Sequence, residues 1–160
     1  VGIYQTKASV SAYYALDEDA RYILAGRIGF GSVAGASLDE IPATRRFYAG
    51  GGGSVRGYAY RSLSPLGPYQ QIIGGRSLLE LSAEARIKIT DTIGIVPFFD
   101  AGTAFESSLP DGKQKLQMAA GLGFRYYTGI GPIRVDIAAP LNPRKGDKPV
   151  ALYVSIGQAF

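Results

Sequence analysis

The chain has 160 residues, about the length of one domain, and contains no Cys, His or Trp but 22 Gly, 11 Tyr and 7 Phe. Without thiols or imidazoles it lacks the side chains of zinc sites, thiol nucleophiles and Ser-His-Asp triads. A carboxylate-based enzyme remains possible on residue types alone, but we predict a protein that is not an enzyme, with no catalytic residue, no metal site and no cofactor. Its 17 Lys and Arg against 13 Asp and Glu give a net charge of +4, but the basic residues are dispersed, which argues against nucleic-acid binding.

Hydrophobic side chains alternate with polar or small ones at a period of two, which is typical of β-strands. Between residues 116 and 127 every even position is apolar, while the odd positions are mostly Gly, Ala, Gln and Arg. Residues 76–89 show the same pattern, with Glu80, Glu84 and three basic residues on the polar face. The longest apolar run, residues 93–99, falls short of the roughly 18 residues of a membrane-spanning helix.

Seven strands are predicted, most of them about ten residues or longer, which is the length needed to cross a bilayer as tilted strands. They cover residues 2–15, 20–33, 76–90, 93–104, 116–128, 131–139 and 150–160. Short turns alternate with long connections at 34–75, 105–115 and 140–149, an asymmetry typical of outer-membrane barrels. Aromatic residues close to strand ends fit the girdles of such barrels. They are Tyr13, Tyr14, Tyr22, Tyr126 and Tyr127.

The predicted class is therefore all-β, an antiparallel transmembrane β-barrel. Seven strands cannot close a barrel of this kind, because the smallest single-chain examples have about eight strands and an even number. We interpret residues 1–160 as the C-terminal part of one larger barrel domain whose N-terminal strands are absent from this sequence. A complete eight-stranded barrel, with one strand merged into another, is the alternative.

The connection at residues 34–75 is longer than structureless loops usually are, which indicates a function. Four consecutive glycines at 50–53 permit a tight, folded-back path before Val55-Arg56-Gly57-Tyr58. If the loop enters the barrel lumen, Arg56 needs carboxylate partners, because an unpaired buried charge is costly. Glu80, Glu84 and Asp100 are the candidates on the predicted polar faces. A flexible surface loop with incidental charges is the alternative for this segment taken alone.

Residues 46–51 (RFYAGG) and 55–58 (VRGY) resemble the sixth extracellular loop of the outer-membrane barrel assembly and translocation superfamily. Its members include BamA, TamA and the two-partner-secretion transporters. Later segments resemble that family's last five strands in the same order. They are Gly74-Gly75 leading to Glu84, residues 98–103, residues 121–125, residues 131–140 in a TamA-like form, and residues 157–160. The resemblance covers about residues 45–160 and is closest to TamA, although the four glycines depart from the more polar TamA spacer.

The resemblance implies a sixteen-stranded barrel with periplasmic POTRA domains, integral to the outer membrane of a Gram-negative bacterium. It implies that Arg56 locks the loop tip (Val55, Arg56, Gly57 and Tyr58) in the lumen against Asp100, with Glu84 as a second acceptor. It also implies a factor for outer-membrane protein assembly and insertion, acting on β-barrel or autotransporter clients. A periplasm-spanning TamB-like protein, lipid and lipopolysaccharide are the other expected partners, and nucleic acid is not.

The last strand, about residues 150–160, is the expected functional element. Alternation directs Leu152, Val154, Ile156 and Phe160 towards lipid, and Tyr153, Ser155 and Gly157 inwards. To close the barrel this strand must pair with the first strand, and a weak lateral seam there would accept a client strand by β-augmentation. Gly157 has no side chain to pack across the seam and is expected to bend or weaken it.

Other functions remain open at this point. A two-partner-secretion-type transporter would pass a polypeptide through the lumen, and a passive porin or adhesin barrel would have no client. BamA itself is a further possibility within the family. An outer-membrane enzyme using Glu80, Glu84 and Asp100 is conceivable from residue types, but these carboxylates alternate with basic residues, which favours ion pairing.

Overall fold

Residues 2–160 are described by a computed structural model, in which a single antiparallel sheet contains seven strands in chain order. The predicted all-β antiparallel class is confirmed. The strands are β1 Tyr4–Ala15, β2 Tyr22–Ala34, β3 Ser77–Lys88, β4 Ile93–Phe105, β5 Gln117–Thr128, β6 Gly131–Pro140 and β7 Ala151–Ile156. Within residues 2–160 no helix has the length and hydropathy required to cross a membrane.

The register puts the charged side chains of neighbouring strands on one face of the sheet. Residues directly opposite each other in an antiparallel pair share a face. Ala25 lies opposite Glu84, Glu84 opposite Phe98 and Phe98 opposite Gly121, and Asp100 shares their side by the period of two. We call this side the inner face and the opposite, apolar side the outer face.

The outer face is apolar and exposed, as a lipid-facing surface requires. Its exposed side chains include Val10, Leu24, Ile28, Phe99, Leu122, Phe124, Ile137, Leu152 and Val154. The inner face combines charged residues with Gly and Ala, which leave room for material packed against it. The alternation in residues 76–89 and 116–127 therefore predicted both faces correctly.

The five tyrosines expected at the membrane interface divide between the two faces. Tyr14, Tyr22 and Tyr126 lie on the outer face next to the short turns. Tyr13 shares the inner face with Ala25, and the Tyr127 ring lies 5.0 Å from Lys88 Nζ on that face. The prediction was wrong for Tyr13 and Tyr127, because adjacent residues of a strand point to opposite sides.

The connection between β2 and β3 covers the inner face instead of extending away from it. Two short 3₁₀ turns, Leu38–Glu40 and Ala43–Arg45, lead into it, and isolated bridges pair Phe47 with Gly75 and Ala49 with Leu63. Its apolar side chains form one buried cluster with residues of the sheet. The cluster contains Val33, Ile41, Phe47, Ala49, Val55, Tyr58, Leu63, Leu78, Ala104 and Ala119. This packing, rather than regular secondary structure, gives the segment its shape.

β7 is shorter than predicted, because the strand ends at Ile156 and Gly157 adopts φ +100°. The alternation stops at this turn, so the lipid-facing prediction for Phe160 is wrong. The Phe160 carbonyl accepts a hydrogen bond from Arg86 Nη2 at 2.6 Å, and its ring centroid lies 6.4 Å from that of Tyr13. Phe160 therefore lies on the inner side of the sheet.

Candidate functional site

The glycine run brings the loop tip back towards the sheet through a tight turn. Gly50 and Gly51 adopt φ +108° and +102°, a region that favours glycine. The Gly51 N–H donates to the Val55 carbonyl at 3.1 Å, and the Gly50 N–H donates to Ser54 Oγ at 3.0 Å. The turn therefore places Val55 and Arg56 against the inner face.

Arg56 is the centre of the site and is 1% exposed. Its Nε and Nη2 donate to the two carboxylate oxygens of Asp100 at 2.7 and 2.9 Å, a bidentate pair. Its backbone N–H donates to the same carboxylate at 3.0 Å, and Nη1 donates to Glu84 at 2.6 Å. The guanidinium also stacks 3.7 Å from the centre of the Phe98 ring. The structure thus brings together the three residues named from the sequence.

A third carboxylate, Asp136 on β6, joins the site and was missed by the sequence analysis. Its Oδ2 accepts from Arg56 Nη1 at 3.1 Å, and its Oδ1 accepts from Arg125 Nη1 at 2.7 Å. Asp136 follows Arg134 by two residues, so alternation alone places both on one face. Its contact with Arg56 depends on the path of the loop, and no local sequence pattern predicts that path.

Further arginines surround the three carboxylates, and we call the whole set the arginine–carboxylate cluster. It consists of Arg56, Arg86, Arg125 and Arg134 with Glu84, Asp100 and Asp136. Burial opposes the charge of Arg56, but the hydrogen bonds and charges of Asp100 and Glu84 outweigh it and raise the pKa of Arg56. Arg56 is therefore charged at every physiological pH, and the pairing compensates for its desolvation.

The neighbours of Arg56 in the tip anchor it by packing and by hydrogen bonds. Val55 is fully buried against Gly102, where an added Cβ would lie 2.9 Å from Val55 Cγ2. The Tyr58 hydroxyl lies 2.8 Å from the Met118 carbonyl and 3.0 Å from Asn142 Oδ1. Burial raises the pKa of Tyr58, so its hydroxyl stays protonated and able to donate. Gly57 adopts φ +104°, which explains why the tip has glycine there.

Glu80, the remaining candidate carboxylate, does not bind Arg56. It lies 3.7 Å from Arg27 Nη2 of β2 and belongs to a separate pair on the inner face. Glu80 and Glu84 share the face but are two pleats apart along β3, so only Glu84 reaches the tip. Of the three carboxylates proposed from the sequence, the structure therefore places two around Arg56.

The predicted seam residues Leu152, Val154 and Ile156 are exposed on the outer face of β7. Tyr153 points inwards and contacts the loop tip, where its hydroxyl lies 3.0 Å from the Gly57 nitrogen. The site is thus a set of ion pairs and hydrogen bonds joining a loop to a sheet. Within residues 2–160, no group of three or more His, Cys, Asp or Glu is arranged to hold a metal ion.

Comparison with known proteins identifies the family. The Omp85 superfamily domain matches residues 1–160, the whole chain. The chain belongs to the Omp85 superfamily. This membership confirms the resemblance noted in the sequence and places the chain in the outer membrane of a Gram-negative bacterium.

Two relatives of this Omp85 chain carry the name outer membrane protein assembly factor BamA. The protein of Nitratidesulfovibrio vulgaris (strain Hildenborough) is 32% identical over 155 residues, covering 93% of this chain and 19% of its own. That of Neisseria meningitidis serogroup B (strain MC58) is 26% identical over 181 residues, covering 92% and 23%. The chain thus spans about a fifth of the length of these relatives, which are named as assembly factors.

A solved structure shares the fold of this Omp85 chain. The crystal structure of BamA from Haemophilus ducreyi lacking POTRA domains 1–3 matches with a TM-score of 0.76 at 23% identity. The match covers 96% of this chain and 34% of that one. The seven-stranded sheet is therefore a fragment of a BamA-type barrel fold.

Proposed function

We propose that the protein containing this chain assembles β-barrel proteins in the outer membrane, by adding client strands at the edge of β7 that closes the barrel against its first strand. The observation that carries this proposal is the geometry of β7. Its regular pairing with β6 covers only the six positions Ala151–Ile156, and after the Gly157 N–H has bonded to the Pro132 carbonyl at 2.7 Å the backbone turns at Gly157, with φ +100°. A short terminal strand gives a short seam with the barrel's first strand.

The physical driving force is the cost of unpaired backbone groups in lipid. Each unsatisfied N–H or C=O in the hydrocarbon region costs several kcal/mol, so an open β7 edge strongly favours an incoming strand. The exposed apolar row Leu152, Val154 and Ile156 keeps the added strand at the depth of the hydrocarbon. No covalent step or cofactor is needed, because strand pairing itself supplies the free energy.

The proposal includes the context of the whole protein. We place the seven strands as the C-terminal strands of a sixteen-stranded barrel that follows POTRA domains. Residues Val55, Arg56, Gly57 and Tyr58 serve as the loop lock and Asp100 and Glu84 as its lumen partners. Clients are β-barrel proteins, including autotransporters. A TamB-like periplasmic partner, lipid and lipopolysaccharide are further proposed contacts, as in a TamA-like factor.

A cysteine cross-linking scan of residues 151–156 in the full-length protein, in native outer membranes, tests this proposal. The 160 residues contain no cysteine, so this segment adds no background. We expect cross-links to the terminal strand of a client, with a yield that alternates at a period of two along β7 because successive side chains point to opposite faces.

Cross-links only to the protein's own first strand, while clients still reach their final location, would contradict strand addition. Function would then lie in the lumen, and a two-partner-secretion-type transporter would become the better proposal. High conductance without any client contact would instead indicate a passive porin-like barrel.

A further inference from the structure

The inner face of β7 contacts the tip of the loop through one side chain. The Gly57 N–H donates to the Tyr153 hydroxyl at 3.0 Å, and that hydroxyl donates to the Tyr58 carbonyl at 3.2 Å. A tyrosine hydroxyl has one proton to donate and lone pairs to accept, so both bonds form at once. Among the described residues, these are the side-chain hydrogen bonds that β7 makes with the loop.

The surroundings make this contact specific. A cavity of about 590 Å³ lies between part of the loop and β7 and is lined by residues of both and of the connection before β7, including Gly52, Tyr60, Leu152 and Asp147. The Tyr153 ring lines this cavity and packs on the loop, since a Cβ added at Gly52 would lie 3.0 Å from its Cδ1. Among the described residues, Tyr153 is therefore the side chain through which β7 hydrogen-bonds to the loop.

Both partners of the hydroxyl are backbone groups next to Arg56. The Gly57 N–H and the Tyr58 carbonyl have these positions only while the tip keeps its turn, with Gly57 at φ +104°. Arg56 holds that turn through Asp100 on β4 and Glu84 on β3. The position of β7 is thus linked, through Tyr153, to the arginine–carboxylate cluster on strands in the middle of the sheet.

We propose that Tyr153 is a positioning residue that couples the Arg56 loop lock to the lateral seam. While the loop tip is docked, the two hydrogen bonds hold β7 inwards and disfavour seam opening. When the tip leaves the cluster, both bonds break and β7 is free to move. This inference rests on the proposed function of β7 as a seam strand.

The test uses the full-length protein in lipid nanodiscs without client, with Tyr153→Phe compared against Ser155→Ala. Ser155 is the next inward position of β7, and its hydroxyl makes no hydrogen bond with the described residues, so this control removes a hydroxyl from the same face. Hydrogen–deuterium exchange of peptides containing residues 151–156 reports opening of the seam. We expect exchange in Tyr153→Phe to rise by about three- to tenfold, the effect of losing one or two hydrogen bonds, and Ser155→Ala to match the wild type.

A double-mutant cycle with Arg56→Lys separates coupling from a local effect. If Tyr153 acts through the loop tip, Tyr153→Phe has a smaller further effect once Arg56→Lys has weakened the docking of the tip. Asp100→Asn replaces Arg56→Lys should the latter not fold. Equal exchange in Tyr153→Phe and Ser155→Ala, or additive effects in the cycle, would overturn the proposal.

The client cross-linking scan provides an independent outcome. Client cross-links at β7 together with an unchanged exchange rate in Tyr153→Phe would contradict the proposed coupling and support strand addition. Faster, non-additive exchange without client cross-links would support the coupling and contradict strand addition.

Discussion

At the scale of single residues, the guanidinium of Arg56 makes more ion pairs than any other side chain of the loop. Its planar guanidinium donates to Asp100 with two nitrogens and to Glu84 and Asp136 with a third. A lysine ammonium is a point charge and cannot reproduce this bidentate geometry. All three carboxylates are buried, so removal of the cation leaves them without their central partner.

We predict that Arg56→Ala destabilises loop docking by about 3–5 kcal/mol, the usual cost of removing one partner of a buried ion pair. Arg56→Lys is expected to be intermediate, and Asp100→Asn to behave like it because a bidentate acceptor is lost. The measurement is heat-modifiability of the full-length barrel on gels, together with client assembly. Wild-type values for Arg56→Ala in both assays would show that the loop lock is wrong.

At the scale of elements, the loop between β2 and β3 is ordered by glycine placement as well as by charge. Within the run at 50–53, each glycine has a different environment. A Cβ added at Gly50 would lie 2.5 Å from the Ala59 carbonyl oxygen, and its φ of +108° is strained for other residues. A Cβ added at Gly53 would have nothing within 4 Å. The run is therefore not a uniform flexible linker.

These environments predict that substitution by alanine destabilises the loop at Gly50 but not at Gly53. Gly50→Ala is expected to cost about 1–3 kcal/mol, the range for a strained backbone conformation, and to loosen the tip. Gly53→Ala is its matched control and should leave the loop unchanged. Limited proteolysis of the loop in the folded full-length protein measures both. Equal protection of the two variants would contradict the described path of the glycine run.

At the scale of the whole molecule, the loop lies over the inner face of the sheet. In the sixteen-stranded barrel proposed here, we expect the loop to occupy the lumen and to hinder the passage of ions. A porin-like barrel would instead present an open, water-filled lumen. The occupied inner face is thus the property that most clearly separates the proposed assembly factor from a passive channel.

We predict low conductance for the full-length wild-type protein in planar bilayers, and a several-fold higher open-state conductance for Arg56→Ala, whose tip is no longer held. Ser155→Ala, which removes an inner-face hydroxyl that makes no hydrogen bond with the described residues, is the control. A large, steady wild-type conductance equal to that of Arg56→Ala would favour the porin-like alternative.

Local patterns determined much of this protein from the sequence alone. A period of two is imposed by the strand backbone, so it predicted the seven strands, the two faces and the placement of Glu80, Glu84 and Asp100 on the inner face, while the family resemblance selected Asp100 and Glu84 as partners of Arg56. Motifs in the loop and in the later strands indicated the superfamily.

Only the tertiary structure showed the other contacts among the inward residues. Asp136 joins Arg56, Glu80 binds Arg27 instead, and Tyr153 reaches a turn 96 residues away. Phe160 lies inwards because Gly157 ends the strand before it. Alternation specifies a face but not a distance, whereas these contacts depend on strand register, on the path of a packed loop and on where pairing stops.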